Sequence, residues 1–267
     1  MINFLHHFQP NSILFQFGFL KIHWYGLFIV LGIIAGLLVV LKLAKNQKIS
    51  RDQIYDFGFY LLLASLLGAR IYAVFLDLRF YQSHPFEIFA VWHGGLAIHG
   101  AIIGAVFTLV IYCWTKGLNF WILADLLVVA LPLGQAIGRF GNYFNQELFG
   151  RPTDLSWGIP IDLANRPLEY LSHHYFHPTF LYESILNLLN FLILLFIYQK
   201  LKLKSGVLLF IYLINYSIIR ILMEILRLDQ TPLFFGVRWP IVFSTGLIIV
   251  SLVMIFVRFK GLTLRRH

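Results

Sequence analysis

The sequence is poor in charge, in cysteine and in the motifs that bind nucleotides or metals. Only 12% of its 267 residues are charged, against roughly a quarter in a typical soluble domain, which excludes a soluble globular protein. The single cysteine, Cys113, excludes an internal disulfide and suits a small buried apolar role. There is no phosphate-binding loop, no dinucleotide glycine pattern and no Cys/His zinc spacing, so we expect no cofactor and no metal.

The sequence is instead rich in hydrophobic residues. Hydrophobic residues make up 59% of the chain, and the mean hydropathy is +0.78. Seven apolar segments each approach the roughly 20 residues that a helix needs to cross a bilayer. They are residues 24–43, 54–76, 96–114, 120–137, 179–198, 207–226 and 241–257. The sequence therefore predicts an all-α polytopic membrane protein with about seven transmembrane helices. The first segment lacks the basic start and the small-residue cleavage site of a signal peptide.

The net charge of +9 is explained by topology rather than by a nucleic-acid partner. Twelve of the 21 basic residues close or follow alternate apolar segments. They are Lys42, Lys45, Lys48, Arg51, Lys116, Lys200, Lys202, Lys204, Arg258, Lys260, Arg265 and Arg266. Because basic loops stay in the cytoplasm, this distribution predicts a cytoplasmic C-terminus and an external N-terminus. We expect a lipid bilayer as the environment and no nucleic acid as a partner.

The predicted segments leave no room for a large soluble domain, so we expect residues 1–267 to form a single membrane domain. Residues 1–23 are rich in aromatic side chains, which predicts an external interfacial arm, although a simple external tail explains them as well. Residues 139–176 lie between the fourth and fifth predicted helices. They combine turn residues with mixed charge and are not of low complexity, so we predict a small external cap.

The most informative stretch is Gly138–Arg151, which follows the fourth apolar segment. An arginine so close to hydrocarbon is costly unless it faces a cavity or a counter-charge, which makes this stretch a candidate functional site. Its candidate site residues are Arg139, Asn142, Asn145, Glu147 and Gly150.

Other polar residues are predicted at the same external ends of the helices. His99 lies in a glycine-rich segment, residues 92–104; if Gly95 and His99 share a helical face, the histidine has room to act. A hydrogen bond to a neighbouring helix is the simpler alternative. Tyr25 suits an interfacial anchor or a cavity wall. Arg70 either extends towards the surface or pairs with Asp77.

Two further segments carry charge into the predicted helices. Glu183 lies one turn inside the fifth helix, after His177, and we expect it to have an arginine partner. Arg220 and Glu224 are four residues apart on one face of the sixth helix. They either form a self-contained ion pair, or Glu224 serves another arginine instead.

Two arginines on separate helices, flanked by amides and carboxylates, suit the phosphate of a lipid headgroup, because the guanidinium group donates hydrogen bonds in pairs and stays charged. A histidine can act as a base near neutral pH. No serine lies in a nucleophile-elbow context, so a covalent acyl-enzyme is not expected. The residues alone predict an enzyme or a transporter that handles an anionic phospholipid.

Several motifs of this sequence resemble those of one known protein family. The run GRFGNYFNQELFGR at Gly138–Arg151 resembles the signature of the bacterial phosphatidylglycerol–prolipoprotein diacylglyceryl transferases. Further similar segments, in the family's order, are Trp24–Gly26, Gly68–Arg70, WHGGLAIHGAIIG from Trp92, HPTFLYES from His177, and the Arg220 and Glu224 pair. Tyr143, Ala97 and Ala101 depart from the family pattern, but none of these departures removes a charged or hydrogen-bonding site residue.

The resemblance implies transfer of the diacylglyceryl group of phosphatidylglycerol to the lipobox cysteine of a preprolipoprotein, releasing glycerol 1-phosphate. It implies a bacterial cytoplasmic (inner) membrane protein whose active site lies towards the outer leaflet. On this interpretation His99, Arg139, Arg220 and Tyr25 are catalytic, with His99 as the thiol base or a headgroup ligand. The substrate-binding set is Arg139, Asn142, Asn145, Glu147, Gly150, Glu224, Arg70, His177 and Glu183, with Glu147 and Glu224 orienting the arginines.

Two other classes compete with this interpretation. A lipid or anion transporter would also use buried arginines and glycine-rich helices, but we find no internal repeat of the kind that many transporters contain. An intramembrane protease lacks a convincing nucleophile and paired aspartates.

Overall fold

The computed structural model describes residues 2–18 and 20–263 of the chain. The predicted arm is therefore described without residues 1 and 19. Arg265 and Arg266, which contributed to the predicted orientation, lie outside the described residues.

Helices dominate the described chain. The helices are α1 (Ile2–His7), α2 (Trp24–Ala44), α3 (Arg51–Leu76), α4 (Leu78–Ser83), α5 (Ile98–Lys116), α6 (Phe120–Phe144), α7 (Thr179–Lys200), α8 (Val207–Glu224) and α9 (Trp239–Thr263). The strands are β1 (Ile13–Phe17), β2 (Leu20–His23), β3 (Ile159–Pro160), β4 (Tyr175–Phe176), β5 (Leu233–Phe234) and β6 (Val237–Arg238). They form three antiparallel pairs, β1–β2, β3–β4 and β5–β6.

Seven helices within these described ranges are long and apolar enough to cross a bilayer: α2, α3 and α5 to α9. This confirms the predicted all-α polytopic fold. Two boundaries differ from the prediction. Helix α5 begins only at Ile98, because Gly94 and Gly95 have positive φ values of 91° and 67° and end the preceding turn. Helix α6 continues to Phe144, so residues 139–144 of the predicted cap are helical.

Local sequence explains where several helices begin and end. Helix α3 begins with a capping box, in which Ser50 and Gln53 each bond the other's backbone amide. Helix α5 ends at Gly117, whose left-handed backbone conformation closes the helix. Pro132 lies inside α6 without ending it, as transmembrane helices tolerate proline where neighbouring groups satisfy the freed carbonyls.

The described chain divides into two compact units. The first contains residues 1–39 and 127–267, and the second contains residues 40–126.

Helices α3 and α5 of the second unit pack backbone against backbone. A Cβ atom added to Gly100 would overlap the carbonyl oxygen of Gly68, and one added to Gly104 would overlap that of Ala64. The two small-xxx-small pairs therefore face each other, which is how transmembrane helices approach closely in lipid.

Helices of the first unit are joined by glycine contacts and by polar bonds. A Cβ atom on Gly32 of α2 would lie 3.1 Å from the carbonyl oxygen of Gly134 of α6, which confirms the close contact predicted for Gly32. Hydrogen bonds join each pair among α6, α7 and α8. They run from Gln135 Nε2 to Tyr212 Oη (3.0 Å), from Ser184 Oγ to the Ala136 carbonyl (2.9 Å) and from Asn215 Nδ2 to Asn190 Oδ1 (2.9 Å).

The segment between α6 and α7 has its own apolar core, in which Phe176 is fully buried between Phe149, Ile159 and Phe180. Gln146, at a φ of 52°, ties this segment to the N-terminal arm. Its amide donates to the Pro10 carbonyl at 3.0 Å and to Asp162 at 2.7 Å. The predicted cap is thus packed against the arm rather than loosely attached.

The α3–α5 contact generates the first prediction. We expect Gly100→Ala to lower the thermal midpoint of the purified protein in detergent, because the added methyl meets backbone and overpacking costs about 1–3 kcal/mol. Gly246→Ala in α9 is the matched control, since a Cβ atom there meets nothing within 4 Å. Equal midpoints for the two variants would contradict the close packing.

Candidate active site

Arg139 lies in the last two turns of α6 and has a buried carboxylate as its partner. Its NH2 group lies 2.5 Å from Glu183 Oε2, and its NH1 group donates to Asn142 Oδ1 at 3.1 Å. The arginine side chain is still 25% exposed, whereas the Glu183 side chain is 5% exposed. One edge of the guanidinium group is therefore held in place while part of it stays accessible.

Glu183 serves two arginines at once. Its Oε1 atom lies 3.4 Å from NH1 of Arg227, whose Nε donates to Asp229 Oδ1 at 2.7 Å. The structure thus confirms the predicted arginine partner of Glu183 and adds a second one. The carboxylate fixes the first turns of α7 to the end of α6 and to the residues that follow α8.

Glu147 was predicted to orient Arg139, and the structure gives it an indirect connection to this arginine through Asn142. Glu183 is the direct carboxylate partner, and Glu147 acts one step further out, because it accepts a 2.7 Å hydrogen bond from Asn142 Nδ2. Asn145 Nδ2 lies 3.5 Å from the same oxygen. Glu147 is exposed and Glu183 is buried. Because a buried carboxylate needs a counter-charge, burial decides that Arg139 pairs with Glu183, and the sequence motif does not reveal burial.

Glu224 is the second buried carboxylate, with a fully buried side chain. Its Oε2 atom lies 2.6 Å from Arg220 NH2, and its Oε1 atom lies 2.7 Å from Arg238 Nε. Neither alternative considered from the sequence is complete, since Glu224 pairs with Arg220 along α8 and also serves a second arginine. The sequence assigns Arg238 no role. It belongs to β6, fourteen residues after Glu224, and no helical spacing connects the two residues.

The ion pairs of this cluster do not cancel. Four arginines, at positions 139, 220, 227 and 238, contact three carboxylates, at positions 183, 224 and 229, which leaves a net charge of +1 among these seven groups. Arg220 also lies within the electrostatic range of Glu183 and Asp229. Two separate arginine–carboxylate pairs thus form one connected cluster.

Glycines let the backbone come close around this cluster. A Cβ atom on Gly150 would lie 2.8 Å from His177 Cβ, and the Gly150 amide donates to the His177 carbonyl at 3.0 Å. A Cβ atom on Gly141 would lie 2.7 Å from Cδ2 of Tyr25. Gly150 therefore has a packing role. Tyr25, which is 38% exposed, lies close enough to Arg139 and Glu147 to interact with both electrostatically.

His177 lies two residues before the start of α7 and is partly buried. Its Nδ1 atom lies 3.2 Å from Tyr182 Oη, which also accepts a 2.8 Å hydrogen bond from Trp157. Burial lowers the pKa of the His177 imidazole below its usual value. The ring is therefore neutral at neutral pH and adds no charge to the arginine cluster.

Arg70 belongs to the second unit and is 6% exposed. Its guanidinium group donates to the carbonyls of Ile88 (2.9 Å), Gly94 (2.6 Å), Gly95 (2.8 Å) and Glu87 and to Tyr81 Oη. Neither predicted alternative, a surface position or a pair with Asp77, describes these contacts. Asp77 instead caps α4, and Arg70 holds the loop before α5 beside a cavity of about 480 Å³.

His99 also belongs to the second unit and is the second residue of α5. Its ring is exposed, and its centroid lies 5.9 Å from that of Tyr72. Gly95 precedes the helix, so the predicted shared helical face is wrong, although Gly94 and Gly95 do open the backbone before His99. The exposed position of the ring is compatible with a base or with a ligand for a headgroup.

Fold and site together define a polytopic membrane protein with a connected arginine–carboxylate cluster built around the end of α6. Sequence comparison places it more narrowly. The prolipoprotein diacylglyceryl transferase family matches residues 12–257, and the chain belongs to this family.

Individual relatives agree with the family match. The phosphatidylglycerol–prolipoprotein diacylglyceryl transferase of Synechococcus elongatus is 44% identical over 84% of this chain and 80% of its own length. The enzyme of the same name from Parasynechococcus marenigrum is 44% identical over 87% of this chain and 84% of its own length. That of Prochlorococcus marinus is 40% identical over 95% of this chain and 91% of its own length.

The two carboxylates near Arg139 generate the second prediction. We expect Glu183→Gln to lower the thermal midpoint strongly, because removing one partner of a buried ion pair costs about 3–5 kcal/mol. Glu147→Gln is the matched control and should have a much smaller effect, since Glu147 is exposed. A larger loss of stability for Glu147→Gln would show that Glu183 is not the main counter-charge.

Proposed function

We propose that this protein transfers the diacylglyceryl group of phosphatidylglycerol to the cysteine thiol of a prolipoprotein. The family and the named relatives support this activity. The lipobox of the acceptor, the inner-membrane location and an active site on the outer leaflet form part of the proposal. The alternating basic segments support that orientation.

One observation carries the proposal: Arg139 and Arg220 are each fixed by one buried carboxylate while their side chains remain 25% and 18% exposed. Arg227, in contrast, is only 6% exposed, and Arg238, at 28%, has all three guanidinium nitrogens bonded within the protein. Fixed but accessible guanidinium groups are suited to a phosphate, which they bind through paired hydrogen bonds. The excess charge of +1 in the cluster matches the single negative charge of a phosphodiester.

The charge of the leaving group grows during the proposed reaction. Attack of the thiolate on the glyceryl carbon forms a carbon–sulfur bond and breaks the carbon–oxygen bond to phosphate. Glycerol 1-phosphate leaves as a phosphate monoester, which carries more negative charge than the diester. Preorganised cations stabilise a charge that develops in the transition state, so Arg139 and Arg220 favour bond breaking as well as donor binding.

The thiol must lose its proton before it attacks, because its ordinary pKa is about 8.5. His99 is the proposed acceptor of that proton, with positioning of the headgroup as its alternative role. Asn142 and Asn145 add hydrogen bonds to the donor, and Tyr25 lines the site.

Purified protein, radiolabelled phosphatidylglycerol and a lipobox peptide test the activity directly. We expect label to reach the peptide with the wild-type protein and not with Arg139→Ala, since the phosphate then loses a fixed cation. Arg227 still pairs with Glu183 in this variant, so the protein should remain folded. Arg79→Ala, which changes an exposed arginine of the second unit, should stay active.

Two outcomes contradict the proposal in different ways. Movement of phosphatidylglycerol between vesicles with no label on the peptide would identify a carrier instead of a transferase. Normal transfer by Arg139→Ala would leave the activity intact but remove Arg139 from the phosphate site.

His99→Gln tests the role of the histidine. If His99 is the base, turnover should fall at least about a hundredfold near pH 7, which is the range of general base catalysis, and the loss should shrink as the pH approaches the thiol pKa. The pH–rate profile with the lipobox peptide measures this. Substantial turnover with an unchanged profile would exclude an obligatory base and favour headgroup positioning.

A further inference from the structure

We propose that Arg238 is a positioning residue, which fixes the positions of both predicted phosphate ligands, Arg139 and Arg220. It does so from the β5–β6 hairpin, which lies outside the family motif. The inference rests on the proposed function of those two arginines. Arg238 ends strand β6, directly before α9.

The contacts of Arg238 use all three nitrogens of its guanidinium group. Its Nε donates to Glu224 Oε1 at 2.7 Å and to Thr231 Oγ1 at 3.1 Å. Its NH1 donates to the Arg227 carbonyl at 3.1 Å, and its NH2 to the Asp229 carbonyl at 2.6 Å. Such a complete set of bonds fixes the plane of the guanidinium group, which a lysine ammonium could not reproduce.

These contacts reach both halves of the arginine–carboxylate cluster. Arg238 and Arg220 share Glu224 as their carboxylate partner. Through the backbone of Arg227 it supports the side chain that pairs with Glu183, the partner of Arg139. Among the arginines of this cluster, Arg238 therefore lies where the two halves meet.

Sharing one carboxylate between two cations keeps Arg220 available to a further anion. While Arg238 holds Oε1 of Glu224, Arg220 pairs with Oε2. Without Arg238, the whole charge of Glu224 acts on Arg220, and the net charge of the seven groups falls from +1 to 0. Both changes weaken the attraction of Arg220 for a phosphodiester.

A purely structural role for Arg238 predicts something different. The hairpin β5–β6 turns at Phe235 and Gly236, which have φ values of 49° and 78°, and Arg238 could simply hold it down. In that case its loss would lower thermal stability and the fraction of active protein, with no preference for one substrate. Positioning of the phosphate ligands instead predicts an effect on the lipid donor and not on the peptide acceptor.

The experiment compares the kinetics of both substrates in Arg238→Gln, Arg238→Lys and Thr231→Val, with Arg79→Gln as the control for loss of an exposed arginine. For Arg238→Gln we expect kcat/KM for phosphatidylglycerol to fall about ten- to a hundredfold, while KM for the peptide stays within about twofold. Arg238→Lys keeps the charge but loses the fixed geometry of the guanidinium group, so it should recover only part of the donor kcat/KM. Thr231→Val removes the hydroxyl that bonds Arg238 Nε at 3.1 Å and Glu224 Oε1 at 3.5 Å, without changing charge, and should leave the donor kcat/KM close to wild type.

The outcomes separate the inference from the proposed function. Wild-type protein that transfers no label refutes the proposed function itself. An active wild type, with Arg238→Gln unchanged in donor kcat/KM, or with KM changed equally for donor and peptide, refutes the positioning role alone. If Arg238→Gln does not fold, Arg238→Lys decides: a partial loss confined to the lipid donor supports positioning, whereas no donor loss, or equal changes in KM for donor and peptide, refutes it.

Discussion

The structure around the end of α6 depends on one buried carboxylate, that of Glu183. A charge in hydrocarbon is tolerated only when it is paired and its remaining bonding groups are satisfied. Glu183 meets this condition by sharing its two oxygens between Arg139 and Arg227. Because these residues come from α6, from α7 and from the chain after α8, the ion pairs also fix where the three segments end.

Glycines and small polar residues hold the transmembrane helices against one another, away from the ion pairs. Hydrocarbon tails are as apolar as leucine, so burial of apolar surface does not drive transmembrane helices together. Close backbone contact takes that role at Gly32 and Gly134 of the first unit, and at Gly68 and Gly100 of the second. Hydrogen bonds between helices, such as Gln135 to Tyr212, then set the height of one helix against another. The charged cluster is therefore built on helices whose positions are already fixed.

Much of this arrangement could be predicted from the sequence, and the exceptions have a common cause. The seven spans, the contact at Gly32 and the arginine partner of Glu183 follow from composition and local spacing. The pairing of Arg139 with Glu183 instead of Glu147 does not, because both carboxylates are equally plausible until burial distinguishes them. Arg70 was also misjudged, since its partners are backbone carbonyls of a loop, and no side-chain motif records those. Local patterns indicate which groups need a partner, and the tertiary fold decides which partner they obtain.

The same distinction explains why a motif-based site is incomplete. Motifs contain the groups that meet the substrate, and these must carry the same chemistry wherever the reaction occurs. The residues that hold them can come from any segment that reaches the buried carboxylates. Arg238 illustrates this, since it stands fourteen residues after Glu224 and contacts it across a hairpin turn. An arginine site in a membrane is therefore a balance among several cations and fewer anions, and the unbalanced charge belongs to the whole cluster rather than to any one arginine.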